Sequence, residues 1–314
     1  MKLGKLRRRG GGVIDRRDGS AGGMGGSGLP GFGVPSGGGG GFPIPGGRGG
    51  MGIGAIVLLL LLVFVVPRLL GSGGGLIPDP GAVEGFPDVG GGGSTTEVDP
   101  TDPMGRFVDA VQDDVQITWQ GMFRQAGRDY RPTQVVLFRG STRTACGQGN
   151  ADTGPFYCPV DRHVYLDTSF FNVLSQRFGA SGDFAEAYVI AHEIGHHIQT
   201  LLGINAQVQQ ASQQDPSQAN ALSIRLELQA DCFAGVWGHS ANERGVLEPG
   251  DLQEGIDAAA AVGDDRIQAS VTGRIDPESW THGSSEQRTT WFLRGFDAGN
   301  PDACDTFSVS SDDL

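Results

Sequence analysis

The chain has 314 residues, with 23 Lys and Arg against 36 Asp and Glu, and a formal net charge of −13. Charge is unevenly placed: residues 1–50 hold eight Lys/Arg and two acids, whereas residues 71–314 hold 14 Lys/Arg and 34 acids. The acidic part lacks the clustered Lys and Arg that neutralise phosphates, which excludes nucleic acid as a partner; its acidity serves solubility.

Residues 1–50 are Gly-rich, with Pro, Ser and Arg and almost no apolar periodicity. They cannot bury enough apolar surface to offset ordering entropy, which predicts a disordered tail. Residues 52–70 read GIGAIVLLLLLVFVVPRLL, with an uncharged run over Gly52–Val66 extended by Leu69 and Leu70. A spanning helix needs about 20 apolar residues, range roughly 17–25, so this stretch predicts one short transmembrane helix. A cleaved signal peptide fits less well, because the preceding region is long and no A-x-A site follows. The positive flank precedes the span. That predicts a single-pass cell-membrane protein with a cytoplasmic N-terminus and an extracytoplasmic C-terminal domain. Residues 71–101 are rich in Gly, Pro and acids and predict a flexible stalk. The folded domain is expected over 102–309.

Within that domain, Phe107, Val111, Val115, Trp119, Met122 and Phe123 fall at helical spacing. Gln134–Arg139 and His163–Asp167 read as strands, the second as an edge to which an extended peptide could add. Thr153–Pro159 reads as the loop between them. Phe170–Phe178 predicts a short helix. Asp183 is expected to cap a longer helix that Gly203 terminates. Further helices are expected over Pro216–Trp237, Asp251–Val262 and Ser284–Gly299. A few strands followed mainly by helices make an α+β pattern.

Four cysteines occur, Cys146, Cys158, Cys232 and Cys304, and none forms a CxxC pair. An even number outside the cytoplasm favours disulfides. Cys146–Cys158 would close a short loop, worth roughly 3 kcal/mol in the chain-entropy model. Cys232–Cys304 would then tie the C-terminal tail to a helix. Three connectivities are open to four cysteines.

The strongest chemical signal is His192-Glu193-Ile194-Gly195-His196. Residues four apart share a helix face, so His192 and His196 can present imidazoles to one ion. Glu193 sits where it can take a proton from metal-bound water and pass it to a leaving amine. Tyr188, Val189, Ile190, Ala191, Ile194 and Ile198 make the helix largely apolar. Two histidines and a glutamate on a buried helix need a compensating role. A catalytic zinc needs a third protein ligand and an open position. A histidine six residues after His196 would supply it in one zincin class, but that residue is Leu202. In the run Arg225–Asp231, Glu227 is the better third ligand. Asp231, one turn on, can accept from the far nitrogen of a zinc histidine. His-His-carboxylate donors favour zinc. His282 is a candidate donor to the oxyanion, with Tyr157 a second. His197, one residue after His196, points about 100° away and suits structural hydrogen bonding. His163 and His239 have no evident partner and read as surface residues.

HEIGHHIQ, followed by RLELQADCFAGVW, resembles the neutral zinc metallopeptidases of bacteria, a glutamate-zincin-like group. The blocks Ala145–Asp167, Gly182–Gly203 and His282–Gly299, together with VIDRRDG near the N-terminus, resemble the same family. The resemblance implies a mostly helical zincin-like domain with a small β-sheet. It implies His192, His196 and Glu227 as ligands of one zinc ion, Glu193 as catalytic base and Asp231 as support. The expected function is a membrane-anchored zinc peptidase acting on a peptide or protein. The competing readings are a zinc-stabilised module without catalysis and a zinc amidase acting on cell-wall peptides.

Overall fold

The computed structural model describes residues 1–17 and 98–314. The expected membrane helix over 52–70, tail residues 18–50 and stalk residues 71–97 lie outside the described residues. No helix among the described residues is long and apolar enough to cross a membrane.

The elements are β1 (Val13–Asp15), α1 (Pro103–Gln125), β2 (Gln134–Phe138), β3 (Ser141–Thr144), β4 (Gly147–Asn150), β5 (Phe156–Cys158) and β6 (His163–Asp167), then α2 (Phe170–Gln176), α3 (Asp183–Leu202), α4 (Ile204–Gln214), α5 (Ala219–Glu243), α6 (Asp251–Ala261), α7 (Asp264–Thr272) and α8 (Ser285–Ala298). The α+β expectation holds. α1 starts at Asp102, whose carboxylate accepts from the amides of Met104 and Gly105 at 3.1 and 3.0 Å. Pro103 occupies the first turn, where its missing N–H costs nothing. α3 stops where Gly203 adopts φ 80°, as expected of a C-terminal glycine. α8 opens with a capping box between Ser284 and Gln287.

The main sheet runs β1–β2–β6–β5, with β1–β2 and β2–β6 parallel and β5–β6 antiparallel; β3 and β4 form a separate hairpin. Alternation divides β2 between two apolar clusters. Val135 and Leu137 join the main core, and Val136 and Phe138 join Cys158 and Tyr165 on the other face.

Several local expectations are corrected. His163–Asp167 is an inner strand, and β5 takes the edge. The stretch Thr153–Pro159 therefore contains a strand, because the aromatic pair Phe156-Tyr157 outweighs the Gly and Pro before it. Asp183 is the first helical residue of α3 rather than its cap. Its carboxylate instead holds the α-amino group of Met1 at 2.7 and 2.8 Å. His239 is bonded to the Phe296 carbonyl at 2.6 Å, and His163 is partly buried 4.0 Å from Asp161.

The largest correction concerns the first 17 residues, which are part of the domain rather than of a disordered tail. β1 pairs with β2 in register Val13↔Val135, Ile14↔Val136 and Asp15↔Leu137. Met1, Leu6 and Val13 enter the core. Arg7 donates from its backbone N–H and Nε to Asp114 at 2.9 and 3.0 Å. Asp114 is fully buried and also accepts from Arg244 and from Trp237 Nε1. The amides of Arg9 and Gly10 donate to Asp113, and Arg17 pairs with Asp15 and Asp102. Most of these partners lie about a hundred residues along the chain, so local composition could not reveal them.

Glycines set two helix crossings. A Cβ on Gly235 would lie 2.0 Å from the Phe292 carbonyl oxygen, and one on Gly295 would lie 2.0 Å from the Cys232 carbonyl oxygen. α5 and α8 therefore meet backbone to backbone. Where α3 meets α5, a Cβ on Gly195 would sit 3.1 Å from the Ala230 backbone. The glycine inside HEIGH lets α5 approach closely enough for Glu227 to reach the two histidines.

Candidate metal centre

Tyr188, His192 and His196 stand on successive turns of one face of α3, and Glu227 and Asp231 do the same on α5. His192 Nε2 and His196 Nε2 are 3.2 Å apart. Glu227 brings one carboxylate oxygen to 3.3 Å from His192 Nε2 and the other to 3.4 Å from His196 Nε2. Tetrahedral donors each about 2.0–2.1 Å from zinc lie about 3.3–3.4 Å from one another, so the spacing fits.

The protons agree with that fit. His192 Nδ1 lies 2.7 Å from Asp231, so it carries the hydrogen and leaves Nε2 with its lone pair. His196 Nδ1 lies 2.9 Å from Gln199 Oε1. The Gln199 amide nitrogen donates to the Leu226 carbonyl and Gln229 Oε1, so its oxygen faces His196. Two imidazole lone pairs and a carboxylate thus converge on one point, an arrangement that a shared cation stabilises. Among the described residues, the group comprises three protein donors and no fourth.

Beneath the donors lies a buried polar frame. Arg288 donates from Nε to Asp231 Oδ2 and from Nη2 to Oδ1, both at 2.9 Å. Tyr188 donates its hydroxyl to Asp231 Oδ1. Arg288 also reaches the Val262 carbonyl at 3.2 Å and lies 4.0 Å from Glu227. The sequence reading missed Arg288 and Tyr188. Continuing the His192–His196 spacing back one turn would have found Tyr188. A lone arginine three residues before Trp291-Phe292 was the signal for Arg288.

Charge is tuned accordingly. Burial raises the Glu193 carboxyl, and the neighbouring histidines only partly offset it. Burial would raise Glu227 too, but His196, His192 and His282 hold it well below the usual range. Burial disfavours the charged form of His192, yet Asp231 and Glu227 push it up to about 10. The same field favours a divalent cation, which would take the proton's place.

His282 lies on the loop before α8 and is about a third exposed. Its Nδ1 is 3.1 Å from Asp264 Oδ1, and its backbone N–H donates to Asp264 Oδ2 at 2.7 Å. Burial lowers its pKa, but Asp264 and Glu227 raise it on balance. Asp264 was also missed, since it stands 18 residues away. Tyr157 is directed elsewhere, and its hydroxyl lies 3.1 Å from His197 Nδ1. His197 Nε2 donates to the Arg131 carbonyl at 2.7 Å. The adjacent histidines therefore part as expected, His196 to the donor group and His197 to the scaffold. Cys146–Cys158 and Cys232–Cys304 are the disulfides.

His197 carries a pH prediction. It is fully buried, and burial lowers its pKa from 6.5 to about 4. Its contribution is fully present above pH about 6.5 and is lost as pH falls toward 4. The total is about 3 kcal/mol. Urea midpoints measured across this window should fall more steeply for wild type than for His197→Gln. Equal slopes would refute the assignment.

Residues 2–307 match the family model described as "Putative neutral zinc metallopeptidase". The chain is 46% identical over 308 residues to the uncharacterized protein YpfJ of Escherichia coli (strain K12), covering 97% of this chain and 98% of that one. It is 50% identical over 192 residues to the uncharacterized protein Rv2575 of Mycobacterium tuberculosis (strain ATCC 25618 / H37Rv), covering 58% of this chain and 64% of that one. No solved structure matches the chain. The family match begins at residue 2, so it takes in β1 as well as the donor group on α3 and α5. Sequence blocks, donor spacing and family match agree, and the chain belongs to the neutral zinc metallopeptidase family.

Proposed function

We propose that the domain hydrolyses peptide bonds, with His192, His196 and Glu227 holding one zinc ion and Glu193 acting as general base. The carrying observation is the three-donor group with zinc spacing beside a buried carboxylate on the same helix. A purely structural zinc closes with four protein ligands, whereas a catalytic one keeps a position open. Zinc there supplies a Lewis acid and lowers the pKa of bound water.

The protein's residues do the rest. Glu193, raised by burial, accepts the proton of the attacking water and delivers it to the leaving nitrogen. Asp231 fixes the His192 tautomer, and Arg288 with Tyr188 fixes Asp231. His282, held by Asp264 and shifted toward its protonated form, is the donor to the oxyanion. The two disulfides support an oxidising compartment for the domain, and the apolar run Gly52–Val66 supports association with a membrane.

Two measurements test this reading. Zinc affinity by chelator competition should fall in Glu227→Ala by more than the 10- to 100-fold typical of outer partners, that is by at least about 100-fold. Zinc-loaded protein should cleave members of a broad peptide mixture offered beside cell-wall peptides. Unchanged affinity removes Glu227 from the ligand set. Cleavage of the cell-wall peptides alone makes the protein an amidase, and cleavage of neither leaves a non-catalytic zinc module.

A further inference from the structure

A single membrane crossing within 18–97 would place residues 1–17 on one side and residues 98–314 on the other. The fold does not permit that separation. β1 lies in the same sheet as β2, with Val135 N–H donating to the Gly12 carbonyl at 2.9 Å and Arg16 N–H to the Leu137 carbonyl at 2.8 Å. Lys2 N–H donates to the Val246 carbonyl at 2.8 Å, on the far side of the sequence. Val13 is buried, and Arg7 lies against the fully buried Asp114. Moving this segment across a bilayer would open the sheet and strip a buried carboxylate of one of its two arginines.

The charge argument for a crossing also changes. Arg7, Arg9 and Arg17 belong to the basic N-terminal cluster in the sequence, and each has partners inside the domain: Asp114 and Thr118, Gln120, and Asp15 with Asp102. Orientation is set by Lys and Arg within about 15–20 residues of a span. On that scale the apolar run has Arg48 before it and Arg68 after it, which gives no bias.

We infer that residues 1–17 and the metal-binding body occupy the same side of the membrane. The inference is independent of whether the site cleaves peptides, since it rests on β1 and its ion pairs.

The test uses the full chain in bacterial membranes. Arg8→Cys and Arg124→Cys place single thiols at exposed positions on the N-terminal segment and on α1. A membrane-impermeant maleimide is applied to spheroplasts and, separately, to inverted vesicles. Both thiols should label in the same preparation and be protected in the other. Labelling in opposite preparations overturns the inference. A second measurement does not depend on the new cysteines. A specific protease site is inserted within Gly37–Gly41 and cut in detergent. The N-terminal fragment should co-elute with the domain, and its departure on cutting overturns the inference equally.

Discussion

Glu193→Gln is expected to bind zinc at the wild-type stoichiometry and to lose about 10³-fold in kcat/KM. Glu193 is absent from the donor group, so metal binding does not depend on it. General-base catalysis is worth roughly 10²–10⁴-fold, and this residue serves both proton transfers, which keeps the loss well above the lower end of that range. Glutamine keeps the volume in a site that is 8% exposed, so folding is unaffected. The measurement pairs metal analysis with kinetics on whichever peptide the wild type cleaves. A variant that retains full activity would end the assignment of Glu193 as base. A variant that loses its zinc would show that Glu193 supports the metal.

The second large effect concerns stability. Arg288→Met should destabilise the domain by about 3–5 kcal/mol, because it leaves Asp231 ionised, fully buried and without its bidentate partner. Removing both charges is different: Asp231→Leu with Arg288→Met should recover most of that loss, since no buried charge remains from the pair. The double variant should still bind zinc more weakly than wild type, because His192 Nδ1 then has no acceptor. Denaturant unfolding of the two singles and the double measures the coupling. A loss below about 1 kcal/mol in Arg288→Met would mean that Asp231 finds another partner or takes up a proton.

These two experiments probe what the sequence displayed and what it concealed. Spacing four apart on helices put His192 with His196 and Glu227 with Asp231, and the structure brings all four together. What a linear reading lacks is distance across the fold. Arg288 and Asp264 reach the site from α8 and α7; Asp264 has no local pattern that marks it, and Arg288 shows only as a lone arginine before Trp291-Phe292. β1 failed for the same reason: a segment of Gly and Arg has no periodicity, and its order comes from Asp113, Asp114 and β2. β6 was misplaced because an apolar strand reads alike at an edge and inside a sheet. The neighbours that decide the matter, β2 and β5, come from before it in the chain.

The Cys232–Cys304 bond reaches further than the tail it secures. Gln229 donates its amide to the Cys304 carbonyl at 3.0 Å, and its own amide oxygen accepts from Gln199 at 3.1 Å. Gln199 in turn faces His196 Nδ1. A covalent link thus ends a relay of three hydrogen bonds whose other end orients His196, one of the three residues of the proposed zinc site. In terms of maturation, the relay ties oxidation of the cysteine pair to the orientation of a side chain in the proposed zinc site.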